Sequence, residues 1–187
     1  MLSPSPPAIA SAGFSAVELM VVVAIMSVLA ALAAPSFIPL IEGWRVRESV
    51  ELLQSTLYYA RSEAIKRGGQ VVIQKIPNNT NGCSSAVDTD TWDCGWVVCH
   101  DTSGNRICDA AEPVLQRTES SARVHVNFIS GGAGIVLNRW GLVSGPYLSF
   151  TFVPLGKSIS HPGVRGLCMS SGGRIRVIPQ EAVPCTG

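Results

Sequence analysis

Residues 13–37 read GFSAVELMVVVAIMSVLAALAAPSF, and everything downstream depends on what this stretch is. A glycine–aromatic pair, Gly13-Phe14, opens an apolar run that carries a single acid, Glu18. From Leu19 to Ile41 no side chain is charged; the next charge is Glu42. As one helix rising about 1.5 Å per residue, the run exceeds the ~30 Å hydrocarbon core of a bilayer. From Val21 to Ala34 its apolar side chains go all the way round, as in a helix surrounded by lipid or by other helices. Glu18 is the anomaly, because a carboxylate at the edge of a membrane span is costly and needs a partner.

A secretory signal peptide is the plainer alternative, with Ala31-Leu32-Ala33 as its cleavage site. Residues 1–13 contain no Lys or Arg, however, and Glu18 stands at the head of the apolar run. A plain signal anchor explains the length but not the Gly-Phe pair or the acid. The combination of Gly13, Phe14, Glu18, the apolar run and Pro35 resembles the N-terminus of type IV pilins and type II secretion pseudopilins. That resemblance implies cleavage by a prepilin peptidase after Gly13 and methylation of the new N-terminal residue, Phe14. It also supplies the partner for Glu18, the N-terminal amine of a neighbouring subunit in a filament. A leader without Lys or Arg departs from the usual pattern of that family.

The chain then divides into residues 1–13 as leader, 14–41 as transmembrane and filament-core half-helix, 42–69 as amphipathic half-helix, and 70–187 as an exported β domain. Pro35 and Pro39 can each kink the helix by removing a backbone donor. Val46, Val50, Leu53, Leu57, Ala60 and Ala64 recur at alternating steps of four and three and form one apolar stripe. The basic turn Lys66-Arg67 followed by Gly68-Gly69 marks the C-terminus. The stripe needs a sheet to bury it. Candidate strands are 70–76, 95–100, 114–117, 123–129, 134–140, 147–153, 163–169 and 174–178, separated at short intervals by Gly, Pro and Ser as in antiparallel hairpins. The expected class is α+β, a long N-terminal helix packed on antiparallel sheet, which is also the type IV pilin shape.

Cys83, Cys94, Cys99, Cys108, Cys168 and Cys185 all lie beyond the apolar run. An even number in an exported domain points to disulfides and an oxidising compartment such as the periplasm. Sequence does not choose among the pairings. The local set is preferred: Cys83 with Cys94, Cys99 with Cys108, Cys168 with Cys185. Zinc held by the central cysteines and His100 is the alternative, but no Cys-x-x-Cys pair supports it. The formal net charge of +1 hides an uneven distribution. Residues 83–112 carry six acids against Arg106, and residues 123–187 carry six bases against Glu181, so partners of both signs are open.

The segment LLQSTLYYARSEAIKRGGQVVI, residues 52–73, narrows the resemblance to the GspH/FimT branch, whose helix commonly carries Ala-Arg-Ser-Glu-Ala, here residues 60–64. GWVVCHDTSGNRICDAAEPVL, residues 95–115, and LCMSSGGRIRV, residues 167–177, extend it over most of the chain. Within that branch, Gly-Arg-x-Arg strings are used by FimT-type minor pilins to bind DNA in natural transformation. Carried over here, the string implies DNA contacts from Gly173, Arg174 and Arg176. Two arginines on alternate residues of a strand project from one face and can grip successive phosphates, while glycine lets a backbone approach closely. Arg165, Lys157 and His161 are near enough in sequence to widen the patch. Two solvated arginines guarding a strand edge are the blander reading.

A calcium loop is a second candidate, with Asp101, Ser103, Asn105, Asp109 and Glu112 at oxygen-ligand positions and the Ile107 carbonyl between them. Arg106 occupies the position where such a loop wants glycine, so a polar turn closed by Cys99–Cys108 competes with it. His100, His125 and His161 form no motif with a nucleophile, and Gly131-Gly132-Ala133-Gly134 lacks the lysine of a phosphate loop. No catalysis, cofactor or small-molecule substrate is expected. The resemblance implies other pilins, the prepilin peptidase and the inner membrane as partners, with DNA as an additional one. Three roles follow from it: a DNA-capturing minor pilin, a FimU-like priming subunit, or a GspH-type pseudopilin of type II secretion.

Overall fold

The computed structural model describes residues 13–121, 123–145 and 147–186, with backbone alone for 33–36. Of the expected leader only Gly13 falls among the described residues. Helix α1 spans Ala16–Arg67 and passes through both prolines. Ser15 caps it, its Oγ accepting the Val17 amide at 3.2 Å, and Glu18 sits in the first turn where the helix dipole favours an acid. The chain divides into two units, one ending at Ile38 and the other Pro39–Gly187.

In the first unit every described side chain from Gly13 to Leu32 is exposed, Phe14, Met20 and Leu32 most of all. Among the described residues no single helix is long and apolar enough to cross a membrane; the segments Ala16–Leu32 and Phe37–Arg67 pass by length and composition only together. Between them lie residues 33–36, which include Pro35, a residue with no amide to give the helix.

The second unit holds the core. All six stripe residues, Val46 through Ala64, are buried. Gly68 and Gly69 take φ of +78° and +108°, and the Gly69 amide returns to the Ala64 carbonyl at 2.7 Å, which stops the helix. Eight strands follow: β1 Val71–Lys75, β2 Trp96–His100, β3 Val114–Thr118, β4 Val124–Phe128, β5 Gly134–Leu137, β6 Tyr147–Pro154, β7 Arg165–Ser170 and β8 Ile175–Pro179. They form two antiparallel sheets, ordered β3-β2-β1-β5 and β4-β6-β7-β8. The hairpin reading holds for β1-β2-β3 and β6-β7-β8 but fails in the middle. β4 leaves the first sheet for the second, and β5 returns to pair with β1, Ile73 opposite Ile135. Hydrophobic period places a strand on a face; it does not choose the partner strand.

The inner face of each sheet joins the helix stripe in one core, with Ile73, Trp96, Val126, Phe150, Phe152 and Leu167 among its buried members. Trp96 donates its indole N–H to Thr56 Oγ1 of the helix at 2.9 Å, so the one polar atom of a buried ring is satisfied. The cysteines pair locally as Cys83–Cys94, Cys99–Cys108 and Cys168–Cys185, which leaves no free thiol for zinc. Each bridge ties a loop or tail to a strand or its flank, and Cys94 packs with Ile76 and Ala86 in a small buried cluster.

Candidate functional site

The C-terminal arginines sit where β7 turns into β8. Ser170, Ser171, Gly172 and Gly173 form the turn, the Gly173 amide donating to the Ser170 carbonyl at 2.8 Å. Arg174 precedes the strand instead of lying in it as expected, and its amide donates to Ser170 Oγ at 3.2 Å. Arg174 and Arg176 are both exposed and line one cleft of about 310 Å³ with Tyr147, Ser170 and the Cys168–Cys185 bridge. Register explains the grouping. Cys168 pairs with both Ser149 and Arg176, and Tyr147 pairs with Ser170, so these residues share the outer face of the second sheet. The opposite face carries Leu167 and Met169 into the core.

Other members of the expected patch lie elsewhere. Arg165 pairs with Phe152, on the core-facing parity of β7, and its guanidinium donates to the carbonyls of Pro162 and Val164 at 2.9 and 2.6 Å. Lys157 and His161 face Glu42 of the helix, each 3.5 Å from one of its oxygens. Closeness in sequence grouped these residues with the tail; the pleat and the helix separate them.

Gly173 has a different task from the one its motif suggested. It is buried, and its carbonyl accepts a hydrogen bond from Arg61 Nη1 at 2.6 Å. A Cβ there would stand 2.8 Å from Arg61 Nη2 and 2.9 Å from Leu142 Cδ2, at a φ of +82°. A Cβ on Gly141 would likewise meet the Arg61 backbone carbonyl and Cβ. Arg61 of the helix therefore holds the turn that presents Arg174, and no backbone approach to an outside ligand is available through Gly173.

The calcium reading is also redirected. Asp101 is buried, and its two oxygens accept the amides of Gly104, Asn105 and Arg106 at 2.6, 3.1 and 2.8 Å. Burial acts to raise its pKa, but these amides together with the Ser103 hydroxyl hold it below the ordinary aspartate value. Glu112 accepts the amides of Ser103 and Asp109. The carboxylates thus face the loop's own donors, and Asp109 accepts from the Asn105 side chain. Among the described residues no cluster of three or more His, Cys, Asp or Glu is placed to hold a metal ion.

Burial also reshapes the acidic lobe. Asp93, Asp101 and Glu112 are all buried, so the surface is less acidic than the sequence count. Asp93 forms a pair that no motif announced, because its partner lies 32 residues away: Oδ2 meets His125 Nδ1 at 2.6 Å while Oδ1 accepts the Val126 amide at 2.7 Å. Nearby, buried Lys75 donates to the carbonyls of Ala86 and Asp88, and burial lowers its pKa.

Residues 49–178, more than half of the chain, match the family described as type II transport protein GspH. The chain belongs to the GspH family. Two crystal structures of the type IV minor pilin FimU from Pseudomonas aeruginosa strain PAO1 share its fold, both at 19% identity. The first gives a TM-score of 0.54 over 76% of this chain and 93% of that one; the second gives 0.53 over 75% and 98%. No curated protein matches in sequence. The α+β type IV pilin fold expected from the helix and strand pattern is therefore the fold observed. At this identity the likeness carries over the architecture and not the residues of the C-terminal cleft.

Proposed function

We propose that this GspH-family protein is a minor pilin of a type IV pilus. A prepilin peptidase removes residues 1–13, Phe14 becomes the methylated N-terminus, and the half-helix 14–41 anchors the chain in the inner membrane until assembly. The disulfide-bonded domain then faces the periplasm. The observation that carries this reading is the largely apolar surface exposed on every side from Phe14 to Leu32, in which Glu18 is the one charged side chain. Such a surface is stable only in lipid or among other helices, and Glu18 in that setting requires a positive partner. A neighbour's N-terminal amine fits that need.

Processing and assembly test this directly. Replacing Gly13 leaves a larger protein absent from sheared filaments, and Glu18→Ala gives a cleaved protein that stays in the membrane. Normal incorporation of Glu18→Ala would sink the assembly reading. The finer role is capture of DNA through Arg174 and Arg176, supported by their common cleft and their exposure. Full-length protein in detergent then retards duplex DNA at low salt, and Arg174→Gln with Arg176→Gln abolishes the shift. Two phosphate contacts give a log–log salt slope of roughly −2. No retardation by the wild-type chain at low salt would eliminate the DNA role while leaving the pilin role intact.

The family description favours a second reading, a minor pseudopilin of type II secretion. Loss of exoprotein secretion, with twitching and pilus yield unchanged in a deletion strain, would select it.

A further inference from the structure

A second cleft, of about 480 Å³, opens beside the arginine cleft and shares Tyr147 and Leu148 with it. Arg106, Ser130 and Ser144 line the second cleft together with glycines and with apolar side chains that include Ile129 and Val136. The two depressions are therefore neighbours, with Tyr147 and Leu148 in the wall of each. One depression holds Arg106; the other holds Ser170, Ser171, Arg174 and Arg176. Tyr147 is half-buried at the start of β6, opposite Ser170, which in turn bonds Arg174. Tyrosine and arginine thus stand two strands apart, about 10 Å, on one sheet face.

This set of groups has a chemical meaning. Guanidinium groups in both depressions suit phosphates; serine hydroxyls and glycines leave room for a sugar–phosphate backbone; the aromatic ring common to the two offers a face for stacking. Arg106 sits at φ +69° and its backbone N–H donates a hydrogen bond to Asp101 Oδ2 at 2.8 Å, so its side chain leaves a fixed point of the loop. Resting on the DNA-capture reading above, we infer that the two clefts form one track for a single-stranded nucleic acid, with an unstacked base on Tyr147. A duplex keeps its bases stacked inside and cannot present one to the ring, whereas a single strand or a frayed end can.

The test uses full-length protein in detergent, a fluorescent oligo-dT strand and a duplex of equal length. The single strand binds more tightly than the duplex. Tyr147→Leu weakens single-strand binding roughly 5- to 100-fold and leaves duplex binding near the wild type. Tyr147→Phe keeps the ring and restores single-strand binding, which separates stacking from misfolding. Arg106→Gln lowers the magnitude of the single-strand salt slope by about 0.7. If Tyr147→Leu and Arg106→Gln bind like the wild type while the Arg174/Arg176 double variant does not, the track is overturned and DNA capture at the arginine cleft stands. If the double variant also binds normally, both readings fall.

Discussion

Gly172 and Gly173 are adjacent in sequence, yet the structure requires opposite outcomes when each becomes alanine. At Gly173 the backbone sits at φ +82°, where an L side chain costs about 1–2 kcal/mol. The new methyl would also stand 2.8 Å from Arg61 Nη2 and 2.9 Å from Leu142 Cδ2, and forcing volume into a packed site costs about 1–3 kcal/mol. Arg61 can retreat only by weakening its 2.6 Å bond to the Gly173 carbonyl. Together these place Gly173→Ala at about 2–4 kcal/mol of destabilisation. Gly172 has no such strain, and its Cβ would meet only Ser170 Oγ at 3.9 Å, so Gly172→Ala is neutral to within about 0.5 kcal/mol. Urea unfolding of both variants and the wild type, followed by tryptophan fluorescence, reads the difference as midpoint shifts at constant slope. Equal midpoints for the two variants would refute the assignment of Gly173 to packing and restore a ligand-facing role for it.

Gly95→Ala is more severe still, since its Cβ would lie 2.2 Å from the Thr118 carbonyl at φ +93°; soluble yield should collapse relative to Gly173→Ala. Replacing both Cys168 and Cys185 with serine opens a loop spanning 17 residues and costs about 3 kcal/mol, read as a lower denaturation midpoint under non-reducing conditions. Thr56→Val leaves the Trp96 indole N–H without its acceptor in the core and costs about 1–3 kcal/mol. For Asp101 the folded pKa lies below the unfolded one, so its contribution is whole above about pH 4 and drains as pH falls through the folded value. An acid titration of stability is therefore less steep in Asp101→Asn than in the wild type, and identical slopes would remove Asp101 as the loop's organising charge.

What the amino-acid sequence determined by itself was periodic or local. The stripe from Val46 to Ala64 follows from the helical repeat, and the stop at Gly68-Gly69 from residues that accept positive φ; the three bridges follow the local pairing that sequence favoured but did not single out. The N-terminal run declares its need for cover because no face of it is polar. Tertiary structure decided whatever depends on a distant partner. β5 joins β1 instead of β4, Asp93 meets His125, and Lys157 and His161 turn to Glu42. The Gly-Arg-x-Arg string shows the same division: alternation set Arg174 and Arg176 on one face, but only packing against Arg61 converted Gly173 from an open backbone into a buried support. Sequence spacing encodes direction along one chain segment, whereas burial and partnership arise when segments far apart in sequence compete for the same core volume and the same hydrogen-bond donors.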